Sequence, residues 1–285
     1  MKYLIVNADD FGLTSGVNRA VIDGYRHGII TSTTIMANMP AFDEAVQLAK
    51  ENTALGVGLH FNITQGKPVA ALSEVQSLTN TQGGFLGNSV ALAMRSLSGR
   101  LGTEEVCIEL RAQIEKVLNA GLQLTHIDSH KHSHALPQVC GAIIETMKDY
   151  GIGAVRLPRE RWHSTGQTKI TMQSIGALAL AQICRISSTK LDNNCVKTSD
   201  AFFGIAQTGF WTKEWLQQLI AHLPDGVSEL MCHPGDDVDE LKNVETRLRE
   251  SRIIELELLT DPDVIGSINE RGVRLVNYHH LSTYT

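Results

Sequence analysis

The sequence predicts an α/β protein with a mostly parallel sheet and a (β/α) barrel-like fold that need not reach eight strands. Three observations predict it. Short apolar, β-branched runs alternate with helix-like segments from one end of the 285-residue chain to the other, and that alternation calls for crossover connections between parallel strands. Four clusters of acidic and histidine residues, at 7–12, 58–62, 125–134 and 231–235, each follow directly on an apolar run. Parallel strands gather such ends on one rim, both in a barrel and in an open doubly wound sheet, the second architecture that fits. No composition shift, repeat or low-complexity tract divides the chain, so residues 1–285 are expected to form a single domain, a length that a barrel commonly fills.

The elements follow in order. Residues 3–8 are apolar and β-branched and read as a first buried strand. Residues 9–16 form a loop, and 17–27 read as a helix with Gly28 as its terminal glycine. A strand over 29–36 is rich in Ile and Thr, Pro40 opens a turn, and 41–51 read as the next helix. Strand 55–61 carries His60 near its end. Residues 65–102 contain Gly66, Pro68, Gly83, Gly84, Gly87 and Gly99 with weak periodicity, and read as an irregular insertion with some helix over 88–97. Thr103 is expected to cap a helix whose first turn holds Glu104 and Glu105, where the helix dipole favours negative charge. Val106, Leu110, Ile114, Val117 and Leu118 then recur at helical spacing until Gly121. Strand 122–129, helix 136–150, a short strand 154–157 stopped by Pro158, and an apolar helix over 170–186 come next. Residues 192–208 read as loop with room for a strand, and Thr212 caps a helix over 213–222. Strand 227–232 stops at His233-Pro234, 239–259 read as one long charged helix, Asp261 caps another, and 273–278 form the last strand.

Composition narrows the function. A hydrophobic fraction of 42% supports a sizeable core. The net charge of −6, with no basic stripe, sets nucleic acid and anionic membranes aside as main partners and suits a neutral sugar. The five cysteines are odd in number and form no C-x-x-C pair, which argues against a disulfide framework or structural zinc site. Met1 leads almost directly into the first strand and charged Asp9 and Asp10 follow, so no signal peptide is expected. The apolar stretch near 175–184 is too short to span a bilayer. A soluble cytoplasmic protein is the expectation.

The four clusters carry the chemistry. Two carboxylates and several imidazoles in one pocket suggest a bound metal ion and hydrolysis. Of Asp9 and Asp10, one can bind metal while its neighbour takes a proton, because successive residues point in different directions; the plain alternative for an isolated Asp-Asp pair is a turn or helix cap. In 126–134, His126, Asp128, His130, His132 and His134 alternate with other residues and share a face if the chain is extended. His233 follows a strand and precedes Pro234, and its imidazole is a candidate general acid that can cycle near neutral pH. Arg156, near a strand end, is placed to orient a carboxylate or bind substrate, and a surface ion pair fits it equally. Phe202, Phe203, Phe210, Trp211 and Trp215 cluster, and rings facing a pocket would stack on sugar, although core packing suits Trp215 better. His27, His163, His222, His279 and His280 lack such context and are expected at the surface or at caps.

Asn7-Ala8-Asp9-Asp10-Phe11-Gly12-Leu13, Ile30-Thr31-Ser32-Thr33-Thr34, Gly58-Leu59-His60-Phe61, Thr125-His126-Ile127-Asp128-Ser129-His130-Lys131-His132 and Met231-Cys232-His233-Pro234 together resemble the YdjC-like carbohydrate deacetylases, especially the chitooligosaccharide deacetylases. The resemblance spans almost the whole chain, in order. It implies a (β/α) barrel-like fold and hydrolysis of the N-acetyl group of N-acetylglucosamine-type sugars with one divalent cation, Mg²⁺ or Zn²⁺. It further implies that Asp10, His60 and His130 hold the metal, that Asp9 is the base and that His233 is the acid. His132, Arg156 and Phe203 are expected to meet the sugar. Lys131 departs from the family's His-His-His run, and 66–102 and 158–198 are less family-like and are expected to shape substrate choice. The ligand set of two imidazoles and one carboxylate suits zinc, cobalt or nickel by softness, whereas family members are often described with magnesium. The rival readings are another metal-dependent amidohydrolase or phosphoesterase, and a non-catalytic sugar-binding protein. The expected partner is an acetylated amino sugar, and a homodimer is compatible with all of this.

Overall fold

A computed structural model describes residues 1–160 and 172–283. Among them, seven parallel strands form one sheet: β1 (Lys2–Phe11), β2 (Ser32–Ile35), β3 (Gly56–Phe61), β4 (Ile127–Ser129), β5 (Ala201–Phe203), β6 (Gly226–Cys232) and β7 (Arg274–Leu275). Their order is β4-β3-β2-β1-β6-β5, with β7 paired to β1 at Tyr3 and Leu4. Single parallel bridges, Ile127 to Val155, Ala154 to Lys197 and Glu160 to Phe202, link the β4 edge back to β5, so the sheet curls into the expected barrel-like form. The predicted strand at 154–157 contributes only the first two of these bridges, at Val155 and Ala154.

Helices α1 (Ser15–His27), α2 (Phe42–Glu51), α3 (Ser89–Leu97), α4 (Thr103–Asn119), α5 (Pro137–Met147), α6 (Met172–Asn193), α7 (Lys213–Ala221), α8 (Glu250–Leu259), α9 (Pro262–Glu270) and α10 (His279–Thr283) supply most of the connections. Local chemistry sets their starts. The Thr14 hydroxyl accepts from the Val17 amide, Thr212 from Trp215, and Asp261 from Asp263 and Val264, each satisfying amides that a helix start leaves free. The residue preceding α4 is Gly102, so Thr103 is its first helical residue and not its cap. One apolar cluster runs from Leu4 on β1 to Val273 and packs the helices on the sheet.

Several expectations change. The long helix predicted over 239–259 is only α8, preceded by a 3-10 turn at Glu240–Asn243 and a loop. There the Asp237 carboxylate takes the Asp239 amide and the Thr246 hydroxyl takes that of Leu248, bonds that compete with a helix ladder. Residues 192–208 do contain a strand, β5, and the strands predicted over 122–129 and 273–278 shrink to β4 and β7. The 126–134 run is not one extended face. After Ser129 it coils into a 3-10 turn, His130–Ala135, with Lys131 and His132 at φ 54° and 53°. His163 and the start of the predicted 170–186 helix lie outside the described residues.

Candidate active site

The sheet order places the carboxyl ends of β4, β3, β1 and β6 close together, and these are the ends that carry the four clusters. At the end of β1 the pairing with β2 shifts register between Ala8 and Phe11, and Asp10 adopts φ 68°, a left-handed conformation that Asp tolerates better than most residues. This bulge sends the two carboxylates to different partners.

Asp10 Oδ1 lies 3.4 Å from His60 Nε2 and 3.1 Å from His130 Nδ1, and the two imidazole nitrogens are 3.4 Å apart. Three donors spaced in this way fit around one cation whose bonds to nitrogen and oxygen are about 2.0–2.2 Å. Asp10 Oδ1 is buried and takes no hydrogen bond among the described residues, so it is an acceptor without a donor. The far nitrogens are fixed by neighbours. His60 Nδ1 meets Asp128 Oδ1 at 2.7 Å, and His130 Nε2 meets Gln65 Oε1 at 3.1 Å. A carboxylate or amide oxygen behind the ring sets the tautomer that leaves the near nitrogen free for metal. Burial disfavours charge on His60, but Asp128 and Asp10 outweigh it and push the imidazole up to about 10, so the pocket draws positive charge to this point. A second grouping of potential ligands, Asp9, His60 and Asp128, is less suited, because Arg156 already occupies both of its carboxylates.

Arg156 is fully buried. Its Nη1 and Nη2 donate to both oxygens of Asp9 at 2.6 and 2.7 Å, Nη1 also lies 2.6 Å from Asp128 Oδ2, and Nε donates to Glu229 at 2.7 Å. The expectation that Arg156 meets substrate gives way to the other role weighed for it, orienting a carboxylate. Burial works against ionisation of Asp9, yet Arg156 outweighs it and holds the carboxyl well below the usual range. Behind Arg156, the Tyr278 hydroxyl donates to Glu229 at 2.5 Å, and the His126 ring stacks on Tyr278 with centroids 3.4 Å apart.

His233 Nε2 stands 4.0 Å from Asp9 Oδ2. Burial lowers this imidazole to about 4 despite Asp9 and Asp10, so His233 is neutral at rest near neutral pH. Its backbone amide donates to Glu255 on α8, and burial pushes that carboxyl up to about 7. Asp9, Asp10, His60, His130, His132 and His233 all border one cavity of about 800 Å³. Lys131 also borders it and donates to the Gly87 carbonyl at 3.0 Å, tying the turn to the 65–102 insertion. Phe203, expected to stack on sugar, is buried in the hydrophobic cluster with Trp211 and Trp215. Phe202 instead faces the His132 ring and the Arg156 guanidinium. The sequence reading missed Arg252, Glu255 and Glu229, since they sit within segments whose pattern announces only a helix or a strand.

Fold and site together define a class: a parallel, barrel-like α/β protein whose strand ends converge on a carboxylate–imidazole centre. Within that class the chain belongs to the YdjC-like protein family, which it matches over residues 3–270. A carbohydrate deacetylase of Geobacillus stearothermophilus is 36% identical over 278 residues, covering 97% of each chain. One from Thermoanaerobacter pseudethanolicus is 32% identical over 281 residues, covering 98% of each. The crystal structure of an Enterococcus faecalis V583 protein, described as a candidate cellobiose-phosphate cleavage protein, superposes with a TM-score of 0.78 at 29% identity over 98% of both chains.

Proposed function

We propose that this chain is a divalent-metal-dependent carbohydrate deacetylase that removes the N-acetyl group from N-acetylglucosamine-containing oligosaccharides and releases acetate. The observation that carries the reading is the convergence of Asp10, His60 and His130, ligand atoms within 4.8 Å of one another, beside Asp9 and His233 in one cavity. The names of the curated relatives supply the reaction class.

Asp10, His60 and His130 hold the cation, with Asp128 and Gln65 fixing the two rings. A divalent cation bound there supplies Lewis acidity, making a water easier to deprotonate and polarising the acyl carbonyl. Asp9 takes the proton of the attacking water. Arg156 keeps it ionised and oriented. Oδ1 accepts from both Arg156 and Asn7, so Oδ2, which among the described residues accepts only from Arg156 and stands on the His233 side, retains the lone pair for the proton. His233, neutral at rest, receives that proton from Asp9 and passes it to the departing amine. Water adds to the acyl carbon, the C–N bond breaks, and acetate and a free amino sugar leave. His132 borders the cavity where the sugar rests. The donor set favours zinc, cobalt or nickel over magnesium. Residues 1–285 act as a single catalytic domain. The five cysteines are free thiols and support a reducing compartment such as the cytoplasm. No helix among the described residues is long and apolar enough to cross a membrane.

The test is acetate release from N,N′-diacetylchitobiose and a panel of acetylated sugars, with and without a chelator. Release that stops on chelation and returns with a divalent ion is expected. Phosphate release from phosphorylated sugars without acetate release would favour a phosphoesterase, and tight binding without turnover a sugar sensor.

A further inference from the structure

Arg252 has no part in the steps above. It enters from α8 beneath the His233-Pro234-Gly235 turn. A Cβ at Gly235 would stand 3.0 Å from Arg252 Cβ and 3.1 Å from its Cδ, so the missing side chain makes room for the arginine stem. Arg252 is only 1% exposed. Its Nε donates to the Leu248 carbonyl at 3.2 Å and its Nη2 to Asp10 Oδ2 at 2.5 Å. Its Nη1 is buried with no acceptor among the described residues. A buried charged donor left unpaired costs more than an ordinary hydrogen bond contributes. The little surface that Arg252 keeps borders the cavity shared by Asp9, Asp10, His60, His130 and His233. An oxygen arriving in the cavity that Arg252 borders can supply the partner that Nη1 lacks. On an acetamido sugar, the acyl oxygen is the one that gains negative charge during attack and leaves as a carboxylate oxygen, the best match for a fixed guanidinium.

We propose that Arg252 is a catalytic residue whose Nη1 donates to the acyl oxygen of the acetyl group and then to the released acetate, while Nη2 keeps Asp10 Oδ2 away from the metal position. The assignment rests on the deacetylase reading. R252K keeps a charge beside Asp10 but loses the second arm of the fork, and R252Q loses the charge. At saturating metal, with metal content confirmed, both should bind acetate about 10-fold or more weakly than the unmutated protein, as loss of a charged hydrogen bond implies. Their kcat should fall about 10²-fold or more. In the unmutated, metal-loaded protein, acetate should shift the Arg252 Nη resonances, a readout that survives if neither variant folds. Recovery of acetate affinity and kcat on adding metal alone would show that Arg252 acts only through Asp10 and would overturn the proposal, as would Nη resonances unmoved by acetate. Turnover by the unmutated protein with no loss in R252K overturns this inference and leaves the deacetylase reading standing. Arg252-dependent acetate binding with no acetate release from any sugar supports the contact and sinks that reading.

Discussion

Asp9 and Asp10 are neighbours in sequence with different proposed tasks, base and metal ligand, and the bulge at the end of β1 separates them. Asp10 turns Oδ1 to two imidazoles and Oδ2 to Arg252, while both oxygens of Asp9 accept from Arg156. Asp9→Asn should therefore retain metal and fold but lose about 10²–10⁴ in turnover, since an amide cannot take the proton. Metal analysis beside steady-state rates checks this, and near-normal turnover with full metal would remove Asp9 as the base. Asp128 acts one step back. Its 2.7 Å contact with His60 Nδ1 sets the tautomer of a ring proposed to hold the metal, so Asp128→Asn should weaken metal binding about 10–100-fold in calorimetric titration. Unchanged affinity would mean that the His60 ring needs no orienting partner. His60, His130 and His233 were legible in the sequence because each closes an apolar run. Arg156 was noticed for its place near a strand end, but a sequence does not show that three buried carboxylates surround it. Arg252 and Glu255 were not legible, because charged residues along a helix normally signal a solvated face, and here one face of α8 is turned into the site.

At the scale of elements, the motif glycine Gly58 has a physical cause. A Cβ there would fall within the His126 imidazole, which itself stacks on Tyr278. Gly58→Ala should cost on the order of 1–3 kcal/mol, the usual range for forcing bulk into a packed core, read as a lower urea midpoint with an unchanged slope. A variant as stable as the parent would show that the ring can move without loss. The turn His130–Ala135 illustrates where pattern reading runs out. Alternation suggested an extended face, yet Ser129 Oγ accepts the His134 amide at 2.8 Å, and left-handed Lys131 and His132 fold the run back. The spacing of histidines does not record backbone handedness. Likewise 239–249 has the charge density of a helix, but Asp237 just before it and Thr246 within it bind local amides and leave a loop that lines the cavity.

At the scale of the molecule, the same sheet that assembles the site buries an unusual number of titratable rings, and this has a measurable consequence. His132 is lowered to about 3, first by burial and then by the Arg156 charge, and His126, His130, His134 and His233 are lowered as well. Each is neutral in the native chain, while its unfolded counterpart takes a proton below about pH 6.5. The unfolded state then binds more protons, so the stability these groups permit is complete above pH 6.5 and declines as pH falls towards their native values. Other buried groups run the opposite way. Glu255, raised to about 7, and His60, raised to about 10, hold protons in the native state that the unfolded chain releases, so they contribute more at lower pH. Overall stability against pH is thus a balance, and a difference between two chains isolates one group. For the metal-free protein, the stability of the unmutated chain minus that of His132→Gln should stay constant above pH 7. Below pH 6.5 it should fall by up to about 1.4 kcal/mol per pH unit, flattening only near pH 3. Urea titrations of both chains at pH 7, 6 and 5 measure that slope. A difference that stays flat, or widens in favour of the histidine on acidification, would mean that His132 is not held neutral by its burial beside Arg156.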